Sequence, residues 1–339
     1  MNLSHPLYDL LHTLGNLARE TVTSSLQGSS AAERSQPIGH AGSDLIYAID
    51  QEVEQGLVRV LEERAEDLGG IVLIAEGIGE NERSVYPEGT PETDCKWRML
   101  VDPIDGTRGI MMDKRSAWFI AGVAPNRGEE TRLRDIECAI LAELPNSRAG
   151  FADVLCAVKG QGMEAKRRSL FSRDSETEFE YVPYPGKSIR GGFAQIVRFF
   201  PGGRKETAAL EDALWERLFP DAEEGEVLGF EDQYISTGGQ WVELLSGRDR
   251  FCADLRPVLY DSKHFAGRRR GFSCHPYDMA GLLILEESGV IVTDVQGKLL
   301  DALFDTRTEC NWLAYANSDI RNEVEPVLRT LLKEQGWIT

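Results

Sequence analysis

Asp102 and Asp105 stand three residues apart in the run Asp102-Pro103-Ile104-Asp105-Gly106-Thr107, directly after the apolar triplet Met99-Leu100-Val101. Pro103 disfavours the helical region for Asp102 and keeps it extended at a strand end, while Gly106 permits a turn conformation closed to other residues. Both carboxylates are then expected to converge on one point. Thr107 is a good residue to begin a helix, so the same loop offers the backbone N–H groups of Gly106, Thr107 and Arg108 to an anion. Carboxylates beside an anion cradle make chemical sense with cations between them. Taken alone, the hexapeptide reads equally well as an Asp-Pro turn with a helix cap.

The surrounding elements must position these groups. Upstream lies a long helical pattern, Ile46 to Leu68, that contains Asp50, followed by the short apolar run Ile71-Val72-Leu73-Ile74 ending in Ala75-Glu76-Gly77. Far downstream comes His275-Pro276-Tyr277-Asp278-Met279-Ala280-Gly281, leading into a helix expected over Met279 to Ser288 and the strand-like run Gly289 to Thr293. Taken singly, Asp278 reads as an N-cap and Glu76 as an exposed strand-end acid.

Taken together, this order of pieces resembles the inositol monophosphatase family, the magnesium-dependent, lithium-sensitive sugar phosphatases that include fructose bisphosphatases and bisphosphate nucleotidases. The likeness spans most of the chain and is dense only in these blocks. It implies an α/β fold, a layered α-β-α-β-α sandwich of the sugar phosphatase type with the active site between its two halves. It implies roles as well. Glu76, Asp102 and the Ile104 carbonyl would hold one Mg2+, and Asp102, Asp105 and Asp278 a second, with two or three ions per site. Asp50 and the Thr107 hydroxyl would orient the attacking water, and the phosphate would lie on Gly106, Thr107 and Arg108. Elementary chemistry agrees: Mg2+ prefers hard oxygen ligands and keeps several waters, so one or two carboxylates per ion suffice. Two ions about 3.5 to 4 Å apart stabilise both the attacking and the leaving oxygens of an in-line displacement.

Three departures from the family pattern stand out. Its Gly-Glu-Glu triplet reads Ala75-Glu76-Gly77, so a neighbouring acid is missing, although Glu80 follows in the next loop. Its Trp before the C-terminal Asp is Tyr277. The position of its sugar-contacting acid falls on Gly271, within an inserted stretch from Arg256 to Ser273, and Asp254 is the candidate replacement. That insertion carries Arg268-Arg269-Arg270. The run reads either as a solvated loop paired with nearby acids or as a hold on a second phosphate or carboxylate of the substrate.

Composition sets the outer limits. The chain has 339 residues, enough for two substantial cores, and 42% apolar residues, ordinary for a soluble globular protein. A formal charge of -19 argues against a nucleic-acid surface. The six cysteines show no CxxC spacing and read as buried thiols of a reducing, cytoplasmic compartment. No apolar run approaches a membrane span and the N-terminus has no signal-peptide core, so no membrane is expected.

Along the chain, Leu7, Leu10, Leu11, Leu14 and Leu17 repeat at helical spacing, and Gln27 to Ser43 reads as a mobile Gly/Ser/Ala-rich loop. Strands are expected at Trp118–Val123, Glu137–Leu144, Asp153–Lys159, Phe251–Leu255 and Trp312–Tyr315, and helices at Lys205–Phe219, from Ser236 onward, and at Ile320–Glu334. The polar stretch from Phe171 to Pro185 marks a boundary. It divides an N-terminal half, 1–184, with most metal ligands from a C-terminal half, 185–339, with Asp278 and the substrate side.

The expected function is that of a Mg2+-dependent phosphomonoesterase acting on a small phosphorylated metabolite, an inositol or sugar phosphate first. A bisphosphorylated sugar or nucleotide stands second. A catalytically silent binding protein of the same fold is the rival from another class. The expected partners are that metabolite and a second copy of the chain.

Overall fold

A computed structural model describes residues 3–41, 44–79, 81–172 and 176–339. Glu80 and the end of the expected loop at Gly42 and Ser43 lie outside the described residues. The chain opens with helix α1, Tyr8–Gly28, and short α2, Ala31–Arg34, then the hairpin β1, Pro37–Ala41, and β2, Asp44–Tyr47, and helix α3, Ala48–Arg64. Gln27 to Ala41 is therefore largely ordered secondary structure. The Ser30 hydroxyl and the Glu33 carboxylate cap α2 reciprocally, and buried Arg34 donates to the Met111 carbonyl at 3.0 Å. The small residues that made the segment look loose are cap and turn residues around those anchors.

Eight strands follow: β3, Ile71–Ala75; β4, Arg83–Tyr86; β5, Trp97–Asp105; β6, Ala117–Pro125; β7, Cys138–Leu144; β8, Phe151–Val158; β9, Gly162–Ser169; and β10, Glu176–Glu178. Between β5 and β6 sits α4, Thr107–Met111. They form one sheet in the order β10-β9-β8-β7-β6-β5-β3-β4, in which β3 and β5 run parallel and every other pair antiparallel. The polar stretch after Phe171 thus still contributes a strand to this sheet. A second sheet, in the order β12-β11-β13-β15-β14, is built from β11, Gly192–Ile196; β12, Gly229–Phe230; β13, Asp249–Asp254; β14, Ile291–Thr293; and β15, Trp312–Tyr315. Its helices are α5, Arg204–Leu218; α6, Thr237–Leu245; α7, Arg256–Asp261; α8, Leu282–Ser288; and α9, Ser318–Glu334.

Residue alternation explains the layers. On one face of the large sheet Met99, Val101, Phe119 and Ile140 pack under the leucines of α1 and Val53, Leu57 and Leu61 of α3. On the other face Leu100, Ile120 and Leu141 meet Trp241 and Leu245 of α6 and Leu282 to Leu285 of α8, which also cover Val292 and Trp312 of the second sheet. The far face of that sheet buries Phe251, Leu313 and Tyr315 against α5 and α9. Helices, sheet, helices, sheet and helices make the α-β-α-β-α sandwich, because each sheet with a period of two presents two apolar faces that need a helical cover.

One expected helix differs. Asp278 does not cap a helix over Met279–Ser288. Pro276–Met279 forms a tight 3-10 turn and α8 starts only at Leu282. Gly122 on β6 is the reason the turn lies so low on the sheet: a Cβ there would stand 2.4 Å from the Ala280 carbonyl oxygen.

Candidate active site

Asp102 and Asp105 come to one side of β5 through a bulge. Asp102 sits opposite Ile120 and Asp105 opposite Trp118, so three steps on β5 match two on β6. Residues three apart on a regular strand face opposite ways; one extra residue puts both carboxylates on the face shared by Ile120 and Trp118. Pro103, which has no N–H to give to a ladder, occupies the bulge. Gly106 then takes φ 100°, in the left-handed region, and α4 begins at Thr107 as the spacing predicts.

The 3-10 turn brings in Asp278 from the C-terminal part of the chain. Carboxylate oxygens of Asp102, Asp105 and Asp278 all lie within 4.8 Å of one another, and all three residues are buried. Each is oriented by donors: Asp102 accepts from the Ile104 N–H at 3.0 Å, Asp105 from the Ser236 hydroxyl at 2.8 Å and the Gly238 N–H at 2.6 Å, and Asp278 from the His275 N–H at 2.7 Å. The glycine pair that opens α6 serves here, since its bare backbone reaches the Asp105 carboxylate. Burial, followed by the negative charges of Asp105, Asp278 and Glu76, pushes the Asp102 carboxyl well up from its ordinary value. Burial and then Asp105 do the same for Asp278, and burial pushes Asp105 up to about 6 against the pull of the Gly238 and Ser236 hydrogen bonds. Like charges confined this way call for a compensating cation, and hard carboxylate oxygens suit Mg2+ in donor type.

The remaining expected residues line the same cleft. Glu76 follows directly on β3 and lines the cleft together with Tyr277. Asp50, in the first turn of α3, accepts from the Tyr47 N–H at 2.9 Å, and its other oxygen lies 3.2 Å from the Thr107 hydroxyl, which is also 2.8 Å from the Ile104 carbonyl. Gly106, Thr107 and Arg108 complete that side.

Asp254 and the arginine run do not join them. Asp254 is buried and does not line the cleft; its carboxylate is bound to Arg256, two residues on. Arg268, Arg269 and Arg270 are exposed and line no part of the cleft. Arg268 pairs with Glu206 at 2.5 Å, and Arg270 with Asp261 at 3.1 Å and with Glu309. In an acidic chain the run finds carboxylates on its own surface, which is the solvated-loop reading.

Two groups escaped the sequence reading. Glu54, one helical turn after Asp50, lines the cleft and lies over Gly77, where a Cβ would meet its Oε1 at 2.7 Å. A carboxylate from α3 thus stands over the glycine that follows Glu76. Its i, i+4 relation to Asp50 was the available signal. Burial, then Asp50, pushes Glu54 up to about 7. Arg256 is the other, set against Phe199, Phe200 and Phe272 on the cleft wall.

The chain matches no family profile and no curated protein by sequence. Solved structures do match it. Extragenic suppressor protein SuhB from Bartonella henselae superposes with TM-score 0.63 at 15% identity, covering 96% of this chain and 98% of the other. Leishmania major fructose-1,6-bisphosphatase also gives 0.63, at 13% identity, covering 98% and 96%. The fold is that of the inositol monophosphatases and fructose-1,6-bisphosphatases. An inositol monophosphatase from Anabaena (Nostoc) agrees at TM-score 0.54 and 15% identity over 96% of this chain and 97% of its own. Within this fold the carboxylates stand where β5 and the 3-10 turn meet, between the two sheets.

Proposed function

We propose that this protein is a Mg2+-dependent phosphomonoesterase acting on a small phosphorylated metabolite, with inositol and sugar phosphates as the leading class. The observation that carries the reading is the convergence of Asp102, Asp105 and Asp278 within 4.8 Å, beside the Asp50 and Thr107 pair. Glu76, Asp102 and the Ile104 carbonyl are assigned to one ion, and Asp102, Asp105 and Asp278 to the next. Bound there, Mg2+ supplies charge stabilisation for the phosphoryl oxygens and for the attacking and leaving groups.

This chain's own residues do the rest. Asp50 accepts, directly or through the Thr107 hydroxyl, the proton of the water that attacks phosphorus, and the Tyr47 N–H keeps the Asp50 carboxylate turned toward it. The turn after Asp105 receives the phosphate on Gly106, Thr107 and Arg108. Glu54 adds a carboxylate on the side where Gly77 leaves a gap. Ser236 and Gly238 hold Asp105 in place from α6, so loss of either contact loosens the whole acidic group. No side chain is asked to form a covalent intermediate.

The resemblance carries further proposals: lithium inhibition, a homodimer, and a division of the chain near residue 184. Six free, buried cysteines support a reducing, cytoplasmic setting. Among the described residues no helix is long and apolar enough to cross a membrane. Phosphate release from a panel of phosphorylated metabolites, with Mg2+ and after its removal, tests the reading. Metal binding without turnover on any member would favour the silent binding protein instead.

A further inference from the structure

Arg256 opens α7 directly after β13 and faces the cleft while only 4% exposed. Asp254, 1% exposed, holds it: Nε donates to the two carboxylate oxygens at 2.9 and 3.1 Å, Nη2 donates to Oδ2, and Nη1 donates to the Phe272 carbonyl at 2.9 Å. A guanidinium carries five N–H donors, and these bonds leave one on Nη1 and one on Nη2. Phe199 and Phe200 lie against its face at 4.9 and 5.3 Å, and Arg108 lies 5.5 Å from the same Phe200 ring and 5.9 Å from Phe272. Next along the wall, Ser273 is 3% exposed, lines the cleft, and has no hydrogen-bond partner for its Oγ among the described residues. The Oγ itself is closed off from solvent, and since buried polar groups are normally paired, it marks a hydrogen bond left open in the cleft wall.

The chemistry of this wall is one-sided. Arg256 offers donors, and the acid that could have accepted from a sugar hydroxyl, Asp254, is spent on Arg256. An entering group made only of acceptors fits such a wall; to a polyol it leaves only the Ser273 Oγ as a side-chain acceptor. We infer that Arg256, anchored by Asp254, and Ser273 form an anion-reading subsite that selects phosphomonoesters carrying a second anionic group, a phosphate or a carboxylate. This rests on the phosphatase reading above. It moves the second-anion role from the exposed arginine run to a guanidinium already desolvated and fixed in plane, where two parallel N–H bonds to one anionic group cost little further ordering.

The test is a comparison of kcat and KM with Mg2+ for a sugar bisphosphate, a phosphorylated carboxylic acid and a neutral sugar monophosphate. It uses wild type, Arg256→Lys, Ser273→Ala and the paired change Asp254→Asn/Arg256→Gln. The paired variant removes both buried charges together and avoids leaving one uncompensated. In wild type the substrate with two anionic groups is expected to have the higher kcat/KM. Arg256→Lys and the paired variant are each expected to cut that preference about tenfold, mainly through KM, as loss of a charge-assisted bidentate contact requires. Ser273→Ala should move it the same way by less. A gain confined to the bisphosphate identifies a second phosphate, and one confined to the acid identifies a carboxylate; either supports the subsite. Turnover with equal changes on all three substrates would overturn the subsite alone, whereas no turnover by wild type on any substrate would overturn the phosphatase reading and the subsite with it.

Discussion

The cleft has two walls built on different logic. One is acidic, with Asp102, Asp105, Asp278 and Glu76 at the ends of β3 and β5 and on the 3-10 turn; the other is aromatic and cationic, with Phe199, Phe200, Phe272 and Arg256 on the second sheet's side. The acidic wall stores repulsion: burial and mutual charge raise its carboxyls, so it is poised to take up a cation. In the cationic wall the charge of Arg256 is already met by Asp254, so it is poised to recognise shape and hydrogen-bond direction more than charge. On the function proposed above, the contrast separates catalysis from selection. Breaking the first should abolish turnover, and altering the second should redistribute it among substrates.

The largest effect is expected from Asp102→Asn or Asp105→Asn, which should leave less than about a tenth of the wild-type rate of phosphate release while the protein stays folded. The sign of the stability change is opposite to that of the activity. A carboxyl whose folded pKa lies above its unfolded value of about 3.9 contributes stability that is fully present below that value and is lost as pH rises through the folded one. For Asp105 that loss falls between about 4 and about 6, and for Asp102, whose carboxyl is also raised, it has the same sign. Metal-free Asp102→Asn should therefore melt at or above the wild-type temperature at pH 8, with the difference shrinking toward pH 4. A variant that melts lower at pH 8, or that keeps more than a tenth of the rate, would break the two-wall account.

Removal of metal comes next. Exhaustive EDTA treatment should abolish phosphate release, and Mg2+ should restore it and raise the melting temperature, since a ligand bound only by the folded state stabilises it by mass action. Ca2+, larger and tolerant of looser geometry, should raise the melting temperature without restoring turnover. Full activity after EDTA would remove the acidic wall from the mechanism.

How far each wall could be read from the chain follows from how each is encoded. The acidic wall is written in short contiguous runs, Ala75-Glu76-Gly77, Asp102 to Thr107 and Pro276 to Gly281, whose proline and glycine fix the backbone locally. The long helices and the central strands were equally legible, because the leucines of α1 and the alternation in β5 to β8 bury one defined face, whereas α2, α7, the β1–β2 hairpin, β4 and β9 to β12 were not read. The cationic wall has no such run. Arg256 and Phe272 meet only because α7 and the following turns fold the inserted stretch back on itself, and Phe199 and Phe200 arrive from beyond β11. A visible charge run, Arg268 to Arg270, drew attention away from one buried arginine. The Asp278 turn was misread as a helix start because a proline-led 3-10 turn and an N-capped helix share their first residues.

A smaller effect is expected at the seam between the walls. Glu54→Gln keeps the volume over Gly77 and removes one charge beside Asp50. If Glu54 stands in for the missing strand-end acid, Mn2+ binding measured by equilibrium dialysis should weaken about tenfold or less, with kcat reduced and the melting temperature of the metal-free protein unchanged or raised. Unchanged Mn2+ affinity with unchanged kcat would make Glu54 a bystander that merely packs over a glycine.

The smallest effect should come from the residues that look most charged. Replacing Arg268, Arg269 and Arg270 by Ala removes three cations near Asp278 in sequence, yet all three are exposed and outside the cleft. Arg268 and Arg270 are paired with Glu206, Asp261 and Glu309 on the surface. Exposed ion pairs are screened by water and salt and contribute little, so kcat and KM on a sugar bisphosphate and on a neutral monophosphate should both stay within about twofold of wild type. Their distance from the cleft makes this the sharpest control for Arg256→Lys: one conservative change at a buried guanidinium should shift substrate preference, and the loss of three exposed ones should not. A selective rise in KM for the bisphosphate in the triple variant would place the second-anion contact in the loop after all and leave Arg256 as a purely structural partner of Asp254.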